Sequence, residues 1–182
     1  MNKRLLLQSS ITLLLTLSST ASFAWMRSLE LGYGYSHDPN NVRYNNSGFL
    51  LESDVAPLHV DQYTHWSANL ALGAWHSTAP FSNTLRTAAA SLELRLYPAT
   101  NTRDVPFYIL GSVGPAYLSQ TQFGTNFQGS HVTGQWIGGL GLEYQNFDVN
   151  FHLVHYSNAN TVSPNDGINI LYMLSMGYLF DC

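Results

Sequence analysis

From residue 28 to the end of the chain, apolar residues recur at every second position and nowhere at helical spacing. The alternating stretches run over about 28–36, 42–54, 63–77, 83–97, 105–119, 130–144, 147–158 and 169–180, separated by clusters of Asn, Asp, Gly, Pro and Ser. A period of two puts successive side chains on opposite faces, so each stretch makes a strand with one apolar and one polar face. Leu29, Leu31, Tyr33 and Tyr35 alternate with Glu30, Gly32 and Gly34, and Leu92, Leu94 and Leu96 with Ser91, Glu93 and Arg95. Eight such strands are an even number, as closure of an antiparallel bacterial barrel requires.

Two barrels meet this pattern, one soluble and lipocalin-like, the other membrane-spanning. Charged residues decide between them: they are 10% of the chain, against roughly 25% in soluble domains. A soluble barrel would turn the leucine and tyrosine stripes to water as one large apolar patch. The reading is therefore all-β: an eight-stranded antiparallel transmembrane barrel of the Gram-negative outer membrane. One face of each strand meets lipid, and the other packs a polar interior in which Glu30, Glu93, Arg95 and Glu143 can pair. Eight strands leave no open channel, so function belongs to the loops or the outer wall. Stretch 42–54 alternates least clearly. In 105–119 both faces are apolar, Phe107, Ile109 and Val113 against Tyr108, Leu110 and Leu118. The last stretch sets Tyr172, Leu174, Met176, Tyr178 and Phe180 on one face, which resembles the C-terminal strand read by the barrel-assembly machinery, displaced by Asp181 and Cys182. With both ends periplasmic, the longer connections near 37–47, 119–130 and 158–168 are expected outside.

Ahead of the barrel, Lys3 and Arg4, the apolar run Leu5 to Leu17 and the small-x-small site Ser22-Phe23-Ala24 predict a signal peptide over 1–24, with a mature barrel over 25–182. The mature chain keeps five arginines against eleven acids, a net charge of −6, which excludes nucleic acid as a partner. The single cysteine, Cys182, can form no intramolecular disulfide. No cofactor or metal is called for, since His37, His59, His65, His76, His131 and His152 lack ligand spacing.

Chemistry concentrates where the seventh stretch ends. Val149, Phe151 and Leu153 form an apolar stripe that continues, on the same face, into His155 and Ser157. Residues two apart on a strand lie roughly 6.6 Å apart and point the same way. The imidazole can then take the proton that keeps a serine hydroxyl a poor nucleophile. Both residues would equally suit the polar headgroup zone, and the spacing alone leaves that alternative open.

His155-Tyr156-Ser157-Asn158-Ala159-Asn160, followed by Ser163-Pro164-Asn165-Asp166-Gly167-Ile168, resembles the active-site strand and loop of the lipid A 3-O-deacylase family (PagL), outer-membrane esterases of lipopolysaccharide. The resemblance implies that Ser157 attacks the ester of the 3-position hydroxyacyl chain of lipid A, that His155 is the base, and that Asn158, Asn165 and the Gly167 turn, with nearby backbone amides, stabilise the oxyanion. The family's third triad member is a glutamate at the position held here by Asn169, and no glutamate follows Glu143. An asparagine can orient the ring without supplying charge; Asp166 is the alternative acid. Arg43 and Arg86, if they stand near the outer rim, could meet substrate phosphates. Expected partners are lipid A or lipopolysaccharide as substrate, the surrounding outer-membrane lipid, the assembly machinery and, as an open question, a second copy in a homodimer. A non-enzymatic barrel, structural or adhesin-like, would share every feature except the 155–169 constellation, and a catalytically impaired relative would share that as well.

Overall fold

The computed structural model describes residues 26–98 and 106–180. The expected leader and its cleavage point before Trp25 lie outside the described residues, as do Asp181 and Cys182. Ten strands follow one another: β1 (Ser28–His37), β2 (Asn45–Val60), β3 (Thr64–Ser77), β4 (Thr84–Leu96), β5 (Phe107–Leu118), β6 (Gln122–Phe123), β7 (Asn126–Phe127), β8 (Val132–Tyr144), β9 (Phe147–Ser157) and β10 (Ile168–Leu179). Eight of them close a barrel in the order β1-β10-β9-β8-β5-β4-β3-β2, every pair antiparallel. The two-residue strands β6 and β7 form a separate hairpin inside the connection after β5.

The period of two has become an inside and an outside. Leu31, Tyr33, Leu72, Leu92, Leu174 and Met176 stand exposed on the outer wall, while Leu50, Tyr108, Leu118 and Tyr156 are fully buried. The ambiguous fifth stretch resolves with Phe107, Ile109 and Val113 outward and Tyr108, Leu110 and Leu118 inward. The second differs from expectation: β2 runs on to Val60, past Pro57. Register shifts on both sides of Pro57, with Ala56 at φ 53°, take up the residue that cannot donate to the ladder. The turn to β3 then shrinks to 61–63, where Asp61 accepts hydrogen bonds from the Tyr63 and Thr64 amides at 2.7 and 2.8 Å.

Inside, one guanidinium organises the charge. Arg95 reaches Glu30 at 2.8 Å, Glu93 at 2.7 Å, Asp54 at 3.1 Å, Glu143 at 3.4 Å, and Asp148. Tyr108 donates to Asp148 at 2.6 Å, and its ring lies beneath the guanidinium, 4.8 Å from the centroid. The pairing expected for Glu30, Glu93, Arg95 and Glu143 is thus present, enlarged by two aspartates.

The end of the barrel where β1 begins and β10 ends has tight turns at 61–63 and 145–146; the opposite end carries 38–44, 78–83, 119–131 and 158–167. There the connections are tied to one another. Asp38, fully buried, accepts from the Thr125 hydroxyl at 2.6 Å, the Thr125 amide at 3.1 Å and the Asn40 amide at 3.0 Å. Asp166 fixes the β6–β7 hairpin to the last loop, its carboxylate accepting from Phe127 N–H and its own N–H donating to Phe127 C=O, both at 2.9 Å. This two-way clip holds the 158–167 loop over the end of β9.

Candidate active site

Alternation on β9 puts Asp148, Asn150, His152, Val154 and Tyr156 in the lumen, and Phe151, Leu153, His155 and Ser157 on the wall. His155 and Ser157 thus share the outer face at the loop end of an apolar stripe, both half-buried. Tyr156, between them, anchors the strand from behind: its hydroxyl meets Thr87 at 3.1 Å and accepts from Gln135 at 3.1 Å. Rotation of the strand would break these bonds, so the lumen fixes the direction in which the two wall residues point.

Asn169 stands beside the imidazole. It is the ladder partner of His155, and His155 Nδ1–H donates to Asn169 Oδ1 at 2.6 Å. Strict alternation would have turned Asn169 inward, because Tyr172 and Leu174 face out, and sequence reasoning required the strand to begin after it. Instead β10 begins at Ile168. A bulge lies between Ile170 and Met173, where two residues of β10, Leu171 and Tyr172, stand opposite one of β9, Leu153. Leu171 and Tyr172 are consecutive and both face outward, which reverses the parity on either side. The Ser36 hydroxyl, donating to Asn169 C=O at 2.6 Å, holds the residue there.

The Ser157 hydroxyl is held by Asn165. Asn165 Nδ2 donates to Ser157 Oγ at 3.0 Å, and Ala159 N–H donates to the same oxygen at 3.2 Å. Asn165 Oδ1 accepts from Asn158 N–H at 3.2 Å and lies 3.3 Å from Oγ. Among the described residues no hydrogen bond joins Ser157 to His155. Gly167, at φ +71°, packs against the imidazole: an added Cβ would stand 3.0 Å from His155 Cε1, so the turn needs glycine both for its backbone and for the ring's space.

Two expected residues are placed otherwise. The Asn158 side chain is buried and its Nδ2 donates to Gln128 C=O and to Val162 C=O, the latter at 2.8 Å, so this amide clips the loop and is not directed at an oxyanion. Asp166 is exposed and bound to Phe127, and among the described residues no hydrogen bond or ion pair joins it to His155. Sequence reasoning missed Gln128, Ser36 and Ala159. Their roles come from packing between distant segments, and only the parity conflict at Asn169 carried a local signal of the bulge. Arg86, on β4, lies three strands from β9, roughly 14 Å along the wall at the usual strand spacing.

The family described as Lipid A 3-O-deacylase (PagL) matches residues 48–178. Among solved structures, the crystal structure of the outer membrane enzyme PagL superposes with a TM-score of 0.60 at 19% identity, covering 83% of this chain and 98% of that one. The outer membrane protein Ail of Yersinia pestis gives 0.48 at 16% identity, over 86% of this chain and 99% of its own. LpxR from Salmonella typhimurium gives 0.34 at 8%, over 75% and 52%. No curated protein sequence matches the chain.

Proposed function

The chain belongs to the lipid A 3-O-deacylase family and is an outer-membrane β-barrel, and from this premise we propose that it removes the ester-linked 3-hydroxyacyl chain at the 3-position of lipid A in the outer leaflet, with Ser157 as nucleophile and His155 as base. One observation carries the reading: His155 and Ser157 share the lipid-facing wall at the loop end of β9, and Asn169 holds the imidazole by Nδ1.

With the Nδ1 proton engaged by the asparagine oxygen, the free lone pair is on Nε2, the form a general base needs. Nε2 takes the Ser157 proton as Oγ adds to the ester carbon. The carbonyl oxygen of the tetrahedral intermediate takes the donors already converging on Oγ, Asn165 Nδ2–H and Ala159 N–H. This assigns Asn165 to the oxyanion and leaves Asn158 and Gly167 to shape the loop. Collapse breaks the bond to the sugar oxygen, which leaves with the proton from His155. Water then attacks the acyl-serine, gives its proton to Nε2, and releases a 3-hydroxy fatty acid with Ser157 restored. The steps need no cofactor. Leu153, Leu171 and Tyr172 offer apolar wall to the acyl chain.

Asn169 favours a second reading, an impaired member of the family, because no carboxylate steadies the imidazolium. Mass spectrometry of lipid A from cells expressing the parent or Ser157→Ala tests both. Loss of one 3-hydroxyacyl chain, absent in the variant, supports the mechanism. Intact lipid A with the parent overturns it in favour of the impaired or non-enzymatic barrel, and loss of a secondary acyl chain overturns the assigned position. The periplasmic leader over 1–24, assembly through the C-terminal strand and a homodimer belong to the same proposal; an N-terminus at Trp25 on a heat-modifiable membrane band checks the first.

A further inference from the structure

On the side of the barrel away from β9, the wall holds a groove of about 620 Å³ formed by β1 to β4 at the loop end. The ladder explains its shape. Ala74 on β3 is the direct partner of Phe49 on β2 and of Arg86 on β4. A methyl floor therefore lies between an aromatic ring and a guanidinium. Tyr33 braces the aromatic wall, its ring edge-on to Phe49 with centroids 5.2 Å apart. One row toward the loops the partners are Ser47, His76 and Thr84; one row toward the membrane centre they are Leu51, Leu72 and Ala88. The groove is thus polar above, cationic at one side and apolar below.

The cation is uncompensated. Arg27 and Arg95 are in ion pairs with lumenal carboxylates, whereas the Arg86 guanidinium has no carboxylate partner among the described residues. It stands on the wall of an acidic chain, at the level where a headgroup lies. A guanidinium there matches a phosphate bidentately, and the leucine row below it matches an acyl chain. In the barrel order, β4 is three strands from β9 and β3 is four in either direction, so the groove opens on a different side of the wall from Ser157.

We propose that the groove binds a second molecule of phosphorylated lipid A without turning it over, with a phosphate on Arg86 and an acyl chain crossing Ala74 onto Leu72 and Ala88. The inference rests on the outer-membrane barrel and not on the catalytic reading. Arg86 then anchors a neighbouring lipid and leaves the substrate untouched.

Native mass spectrometry of the full chain in detergent, carrying Ser157→Ala and titrated with bis-phosphorylated lipid A, tests the site. Whatever the parent's count of bound lipids, Arg86→Ala removes one, weakening that step roughly tenfold or more. Ala74→Trp, which fills the floor and keeps the charge, removes the same one, and Arg86→Lys retains it in part. Unchanged counts in Arg86→Ala and Ala74→Trp overturn the proposal. So does equal uptake of dephosphorylated lipid A, or of phosphatidylglycerol in its place. Deacylation by the chain with native Ser157 is unaffected by Arg86→Ala; its loss would assign Arg86 to the substrate and overturn the second site. If the chain shows no deacylation, loss of one lipid in Arg86→Ala and Ala74→Trp still supports the site, and unchanged counts still overturn it.

Discussion

The lumen and the outer wall treat charge in opposite ways. Around Arg95 the barrel interior gathers Glu30, Asp54, Glu93, Glu143 and Asp148, whereas the imidazole on the wall, which the chemistry would most reward with a carboxylate, is met by the neutral Asn169. In the lumen a carboxylate is desolvated but paired with a guanidinium and hydrogen-bonded. On the wall it would stand at the edge of lipid with only a histidine to balance it, and an unpaired charge there is costly. The contrast teaches that acidity in this chain serves the scaffold and that polarity without charge serves the site.

The largest effect expected separates the site from the scaffold. Ser157→Ala abolishes 3-O-deacylation, with a loss on the order of 10³-fold or more, and His155→Ala matches it because the two act as a unit. Both variants still assemble, as a heat-modifiable band shows; failure to assemble would mean the pair supports the fold.

Next, the scaffold is broken from within. Arg95→Met leaves five carboxylates facing one another and costs about 3–5 kcal/mol, as removal of one partner from a buried ionic network does. Urea titration in detergent reads this directly, and a barrel of unchanged midpoint would refute the central role of the arginine.

The wall can also be made more like the lumen. Asn169→Glu restores charge beside Nδ1 and raises the deacylation rate by about one to two powers of ten, in the direction of the roughly 10⁴-fold cost that the reverse exchange has in serine proteases. A rate that stays the same shows that orientation alone suffices here. The smallest effect is at the clip: Asp166→Asn weakens the side-chain hydrogen bond from Phe127 N–H and leaves the backbone one in place, lowering activity only a few-fold through loop order. Complete loss of activity would instead make Asp166 the partner of His155.

How much of this was legible in the sequence follows from the range of each interaction. The outward stripes were readable because alternation is a local property: Trp66, Ala68, Leu70 and Leu72 declare their face without reference to anything else. His155 and Ser157 shared that face for the same reason. The second stretch was read only to 54, short of Pro57, whose missing N–H suits a strand end; only the pairing with β3 shows how the register absorbs it. Asn158 and Asp166 were assigned to chemistry from a motif, yet their hydrogen bonds run to Gln128 and Phe127, just after and within a hairpin of two-residue strands too short to show any period.

The extra residue at Leu171–Tyr172 makes β10 two half-strands with independent phases. From Met173 onward, the phase is that of the barrel wall, with Leu174 and Met176 outward and Ser175 in the lumen; before it, the phase is the one that brings Asn169 beside His155. Neither half constrains the other's alternation, so the residues around Asn169 can drift in sequence without disturbing the inside and outside faces of the second half. The same arrangement makes length, and not identity, the vulnerable quantity: deleting Leu171 would leave every side chain of the site present and send Asn169 to the wrong side of the wall.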